Sequence, residues 1–281
     1  MIIYIVMDNS KRWVEKIIKP AGIEINGSNP WDIKVINPNS YVRIKTQGSL
    51  GLGESYMDAW WECDKLDEFF YRILSHDISS QIGLSLPVIL GFLRAKLFNL
   101  QAIKRAFQVG EKHYDIRNDL FEAMLGKTMA YSCGYFKDAK NLDEAQEAKL
   151  DLICRKLSLK PGQRILDIGS GWGSFAFYAA KNYGVNVVGV TVSKEQVKFA
   201  EKLCRGLPVE FRLEDYRKLN EKFDHIVSVG MFEHVGAKNY RTFFKIARKC
   251  LKENGLFLLH TIGSLKTSDS TEPWVNKYIF P

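Results

Sequence analysis

Residues 164–173 read Arg-Ile-Leu-Asp-Ile-Gly-Ser-Gly-Trp-Gly. A short apolar run carries one acid, Asp167, and glycine then stands at every second position, Gly169, Gly171 and Gly173. Glycine tolerates positive φ and admits a ligand close to the backbone. The amphipathic stretch 174–183 then sets a helix N-terminus behind the turn. Exposed N–H groups there favour an anionic group, here a carboxylate or ribose hydroxyls. The segment reads as strand, tight turn and helix. Its chemistry is the binding of a nucleoside-like cofactor at the carboxyl end of a parallel strand. Asp167 reads as the residue that ties down the glycine loop.

A second strand, 185–190, follows at βαβ distance. A dinucleotide site would carry an acid about 20 residues beyond the glycines, on the ribose. This strand ends Gly189-Val190-Thr191-Val192-Ser193, with no acid before Glu195. The glycine spacing is also x-Gly-x-Gly-x-Gly rather than Gly-x-Gly-x-x-Gly. Both points argue against a nicotinamide cofactor. The pattern resembles that of methyltransferases dependent on S-adenosylmethionine (SAM). On that reading Gly169 and Gly171 serve the methionine end, and Thr191 and Gln196 the ribose. Asp215 and Tyr216 follow the third strand, and an acid there accepts a hydrogen bond from the adenine amino group.

Strands are expected near 164–168, 186–190, 209–213, 225–229 and 256–260. Helices are expected near 173–183, 194–204 and 239–251, and one over 144–157 leads into the fold. Alternating β and α implies an α/β, Rossmann-like domain, a parallel sheet with helices on both faces. Glu233 and His234 follow one apolar strand, and His260 ends another. Polar residues at carboxyl ends of strands face the ligand crevice. Taken alone, His260 also reads as a satisfied core histidine. A methyltransferase sheet normally has two strands more than the five seen, so the chain reads as C-terminally incomplete at Pro281.

Upstream, 1–90 reads as a smaller mixed α+β domain. It has a helix over 13–18, an extended piece at 23–25 and strands at 33–36 and 41–44. A loop over 50–56 runs into a short aromatic helix at 57–62, and 66–75 is helical. Residues 91–112 read as a basic helical linker, and 113–281 as the catalytic domain. In the linker Arg94, Lys96, Lys104, Arg105 and Lys112 interleave with Leu93, Leu97, Phe98, Leu100, Ile103 and Phe107. That spacing suits an interfacial helix, or a packed helix with cationic edges.

The chain has 281 residues and a formal net charge of +8, which reads either as a well-solvated surface or as a match for an anionic partner, nucleic acid or a phospholipid surface. No RNA-binding aromatic motif, helix-turn-helix or zinc cluster supports nucleic acid. Five cysteines with no metal spacing, an odd count, fit a reduced, cytoplasmic setting. No apolar run is long enough to span a bilayer.

Further blocks narrow the resemblance. They are 51–62 (Gly-Leu-Gly-Glu-Ser-Tyr-Met-Asp-Ala-Trp-Trp-Glu), 113–119 (His-Tyr-Asp-Ile-Arg-Asn-Asp) and 131–135 (Tyr-Ser-Cys-Gly-Tyr). To these add 228–236 (Ser-Val-Gly-Met-Phe-Glu-His-Val-Gly) and 258–263 (Leu-Leu-His-Thr-Ile-Gly). With the glycine turn they resemble the bacterial cyclopropane-fatty-acyl-phospholipid synthases, within the mycolic acid cyclopropane synthase superfamily. The resemblance implies methyl transfer from SAM to a cis double bond of a phospholipid acyl chain. A carbocation forms, a bound bicarbonate takes a proton from the new methyl group, and a cyclopropane closes. It matches Cys133 (through its backbone), Glu233, His260 and Ile262 to the bicarbonate site, and Tyr131 and Ser132 to a segment that closes over SAM. A further tyrosine of that site would lie beyond Pro281. Tyr135, Phe136 and Phe232 suit an acyl chain or a cation, as aromatic faces do. The resemblance also implies a homodimer and a cytoplasmic protein peripheral to the inner membrane face. Two alternatives share the fold: a fatty-acid C-methyltransferase, and a truncated remnant that only binds SAM.

Overall fold

The computed structural model describes residues 2–76, 118–263, 265 and 272–279. The basic segment 91–112, the boundary at residue 90 and the start of the block at His113 lie outside the described residues. The described residues form two compact units, 2–76 with 272–279, and 118–263 with 265.

The larger unit is built on five parallel strands: β3 (Arg164–Ile168), β4 (Asn186–Thr191), β5 (Val209–Leu213), β6 (His225–Val229) and β7 (Phe257–His260), in the order β5-β4-β3-β6-β7. Each expected strand forms within a residue of its expected bounds. The helices are α5 (Asn118–Leu125), α6 (Leu142–Lys156), α7 (Ser174–Tyr183), α8 (Lys194–Leu203) and α9 (Tyr240–Cys250). Strand register pairs Ile165 with Val187 on one side and with His225 on the other. Alternate residues therefore go to opposite faces. Ile165, Val187 and Val227 pack with Ile153 of α6, Phe175 of α7 and Ala200 of α8. Leu166, Val188 and Ile226 pack with Phe243 and Ala247 of α9. Both faces are covered, which is why these strands read as near-continuous apolar runs.

From β3 the chain winds outward through β4 to β5, then returns to β6 on the far side of β3. That reversal opens a crevice at the carboxyl end of β3, where ligands of such sheets bind. Local chemistry fixes the helix that leads in. Asn141 accepts from the Glu144 amide at 3.0 Å, and the Glu144 carboxylate accepts from the Lys140 amide at 2.8 Å. This reciprocal cap satisfies two amides at the start of α6.

The smaller unit holds α1 (Ile2–Ile18), β1 (Lys34–Val35), α2 (Asn39–Gln47), α3 (Ser49–Met57), β2 (Trp61–Glu62), α4 (Leu66–Ser75) and α10 (Pro273–Tyr278). Three expectations are corrected here. Residues 41–44 are helical, because Ser40, Tyr41 and Ile44 are the buried face of α2. Residues 50–56 are helix rather than loop. The helix expected at 57–62 is replaced by β2, with Trp61 buried and its Nε1 donating to the Leu52 carbonyl at 3.1 Å. A fourth difference concerns the C-terminal residues, which sequence assigned to the catalytic domain. Their helix α10 instead packs on α3. A Cβ at Gly53 would lie 2.4 Å from Trp274 Cδ1, so glycine makes that crossing possible.

Buried Glu54 closes this contact, accepting from Lys277 Nζ, from Tyr278 Oη at 2.9 Å and from Arg43 Nη2 at 2.5 Å. These partners, Lys277 foremost, hold its carboxyl at about 2, against an ordinary value of 4.5. A depressed folded pKa gives stability that is complete above about pH 4.5 and is lost as pH falls toward about 2. Glu54→Gln is therefore expected to destabilise the chain at neutral pH. It should also flatten its acid-unfolding profile between those values, read by circular dichroism. An unchanged slope would mean that the knot contributes nothing to acid sensitivity.

Candidate active site

The glycine turn is built as its spacing requires. Gly169, Gly171 and Gly173 have φ of +83°, +54° and +89°. The Gly169 and Ser170 amides donate to the Val190 carbonyl at 2.9 and 3.0 Å, which fastens the loop to β4. A Cβ at Gly171 would meet nothing within 4 Å, whereas one at Gly169 would lie 2.4 Å from Met231 Cγ. Gly169→Ala combines a left-handed φ with that clash. It should cost about 1–3 kcal/mol in a denaturant titration, and weaken cofactor binding by displacing Met231.

The cleft above the turn is lined by all eight expected cofactor residues, Tyr131, Ser132, Gly169, Gly171, Thr191, Gln196, Asp215 and Tyr216. The Thr191 hydroxyl donates to Gln196 Oε1 at 2.6 Å, so the two act as one buried unit. Asp215 is engaged within the protein itself. Its carboxylate grips Arg217, accepting from the backbone N at 2.9 Å, Nε at 2.7 Å and Nη2 at 2.5 Å. Asp167 departs from its expected role. It lines the cleft, only 2 % exposed, and accepts no side-chain hydrogen bond among the described residues, so the loop is tied by amides instead. Burial pushes its carboxyl up to about 7.

Cys133, Glu233, His260 and Ile262 form a separate cluster beside this cleft. Cys133 Sγ lies 3.4 Å from His260 Nε2, and the Ile262 amide donates to Glu233 Oε1 at 2.6 Å. The Gly230 amide donates to the His260 carbonyl at 3.0 Å, joining the ends of β6 and β7. Two atoms here are buried without a partner, Glu233 Oε2 and His260 Nδ1. An orphaned acceptor and an orphaned ring nitrogen on one cluster are costly unless a ligand completes them. His260 is therefore not a satisfied core histidine. The Ile262 side chain is 77 % exposed, so its contribution is its backbone amide.

Residues 101–281 match the family model described as mycolic acid cyclopropane synthetase. The cyclopropane-fatty-acyl-phospholipid synthase of Escherichia coli strain K12 is 57% identical over 274 residues, 98% of this chain and 72% of the relative. The chain belongs to the mycolic acid cyclopropane synthetase family. Two solved members agree. The cyclopropane synthase MmaA2 from Mycobacterium tuberculosis is 37% identical with a TM-score of 0.58, over 62% of this chain and 68% of its own. The mycolic acid cyclopropane synthase CmaA1, complexed with SAH and CTAB, is 40% identical with a TM-score of 0.53, over 54% and 55%.

Membership in this SAM-dependent methyltransferase family accounts for the cleft, the turn and the strand order together. The cleft also contains residues not expected from the sequence. Lys149 and Met231 line the same cleft, as does His234, which was expected to face it. Lys149 sits on the buried stripe of α6 with Gln146, Leu150 and Ile153. Phe232 stacks on Tyr240 at 4.4 Å and packs edge-on to Phe243 at 5.1 Å, so its ring is part of the aromatic packing around α9. Phe136 is exposed.

Proposed function

We propose that the chain transfers a one-carbon unit from SAM to the cis double bond of a phospholipid acyl chain, closing a cyclopropane. The observation that carries this is the pairing of a cofactor cleft with an adjacent cluster holding an orphaned carboxylate oxygen and an orphaned imidazole nitrogen. When bound, SAM supplies an electrophilic methyl group on a sulfonium. The alkene electrons form the new C–C bond as the S–C bond breaks. This leaves a carbocation on the neighbouring carbon and S-adenosylhomocysteine (SAH) as leaving group. Loss of a proton from the new methyl group lets its C–H electron pair close the ring.

The cluster suits the base that this step needs. Bicarbonate, bound there, would supply a small oxygen base with one O–H donor and several acceptor oxygens. Glu233 Oε2 is free to accept that donor. A neutral His260 that accepts from the Cys133 thiol at Nε2 carries its proton on Nδ1, and can donate it to an anion. Glu233 Oε1 meanwhile fixes the Ile262 backbone through its amide. Such a constellation holds the acceptor and can relay the proton. A formal net charge of +8 supports docking on anionic headgroups at the inner face of the membrane. Among the described residues no helix is long and apolar enough to cross a membrane.

The test is incubation of the chain with vesicles of unsaturated phospholipid, methyl-labelled SAM and bicarbonate, with lipids read by mass spectrometry. A gain of one CH₂ with loss of the alkene is expected. A gain of CH₂ with the alkene retained would move the reading to a C-methyltransferase. No product, with SAH binding intact, would leave a cofactor-binding remnant.

A further inference from the structure

Lys149 is only 5 % exposed, yet it lines the cofactor cleft. Its Nζ donates to the Ser132 hydroxyl at 2.7 Å and to Gln146 Oε1 at 2.5 Å, both neutral acceptors. No carboxylate stands within ion-pair distance of it among the described residues. An ammonium has three donors, so one N–H is left over. A buried cation without a counter-charge is expensive. Burial accordingly pushes its pKa down, to about 8. The position makes sense if an anion arrives with the ligand.

We propose that Lys149 anchors the carboxylate of the cofactor's amino-acid end. The proposal rests on the reading of the cleft as a SAM site. Lys149 shares its cleft with Gly169 and Gly171, where the methionine end is expected. The bicarbonate cluster does not line that cleft, which favours the cofactor carboxylate over the oxyanion. Asp167 lines the same cleft as an uncompensated buried carboxylate. A zwitterionic amino-acid end would meet a group of each sign, whereas a bare adenosine would meet neither.

The experiment is calorimetric titration of the wild-type chain, Lys149→Met and Lys149→Gln with two ligands. SAH carries the amino-acid end; 5′-methylthioadenosine has the same adenosine without it. The expected result is SAH affinity lowered by about 10- to 100-fold in both variants, the scale of one charge-assisted hydrogen bond. Affinity for 5′-methylthioadenosine should be unchanged, which also certifies a folded cleft. Loss of both ligands in both variants, or unchanged SAH affinity, would overturn the proposal. So would unchanged SAH affinity joined to a higher bicarbonate requirement, which would assign Lys149 to the oxyanion. A wild-type chain that binds neither ligand would overturn the reading of the cleft itself.

Discussion

Glu233→Gln is expected to lower turnover by about 10²- to 10⁴-fold, the span for removing a positioned proton acceptor, with SAH affinity unchanged. The two halves of that expectation come from different observations. Glu233 Oε1 is committed to the Ile262 amide at 2.6 Å, while Oε2 is buried with no partner. Glutamine can keep one of these functions. If its oxygen holds Ile262, its amide nitrogen replaces Oε2 and presents donors where an acceptor is needed. If it flips, the donors face the Ile262 N–H and the hold is lost. Glu233 does not line the cofactor cleft, so SAH binding should survive. Single-turnover product formation on unsaturated vesicles, beside an SAH titration, measures both. Unimpaired turnover would remove Glu233 from the proton step. A switch from cyclopropane to methyl-branched alkene would place it at the choice of which proton leaves.

The catalytic half of the chain was legible because its signals are local and repeated. Strands such as β4, with Val187, Val188 and Val190, carry runs of β-branched residues, and the helices after β3 and β4 begin within six residues of the strand's carboxyl end. The cofactor residues followed from that frame, since a residue just past a parallel strand has one crevice to face. The smaller unit resisted for the opposite reason. Gly51 and Gly53 read as a loop, yet both lie inside α3. A Cβ at Gly51 would lie 2.2 Å from the Arg43 carbonyl, so the glycines serve close approach rather than a turn. Only the packing partner reveals that. Tyr41 and Ile44 likewise fit an alternating strand over four residues, while the helix that buries them is set by neighbours distant in sequence. Lys149 was missed through composition: one lysine among the charges of α6 looks solvated until its facing is known. Asp167 was expected to tie down the glycine loop, and the Gly169 and Ser170 amides make that tie to β4 instead.

The role of Asp215 separates by a pair of substitutions. Asp215 and Arg217 are a buried ion pair, their side chains 2 % and 10 % exposed. Removing one partner of such a pair leaves a desolvated charge and typically costs about 3–5 kcal/mol. Asp215→Ala is therefore expected to lower the denaturation midpoint strongly, the more so because Asp215 also caps the 3₁₀ turn Tyr216–Lys218. Replacing Arg217 by Met in the same chain removes the cation of the pair as well. Exchanging a whole buried pair for apolar groups is often close to neutral, so the double variant should regain most of the lost stability. SAH affinity should not return with it. The carboxylate that would accept from the adenine amino group is still gone, and a methionine cannot replace an acceptor facing a buried donor. Denaturant titration and SAH calorimetry on the two single variants and the double variant form a cycle that isolates the pair. If stability and affinity recover together, Asp215 acts on the cofactor only through Arg217 and the turn. If stability alone recovers, the carboxylate itself reads the adenine.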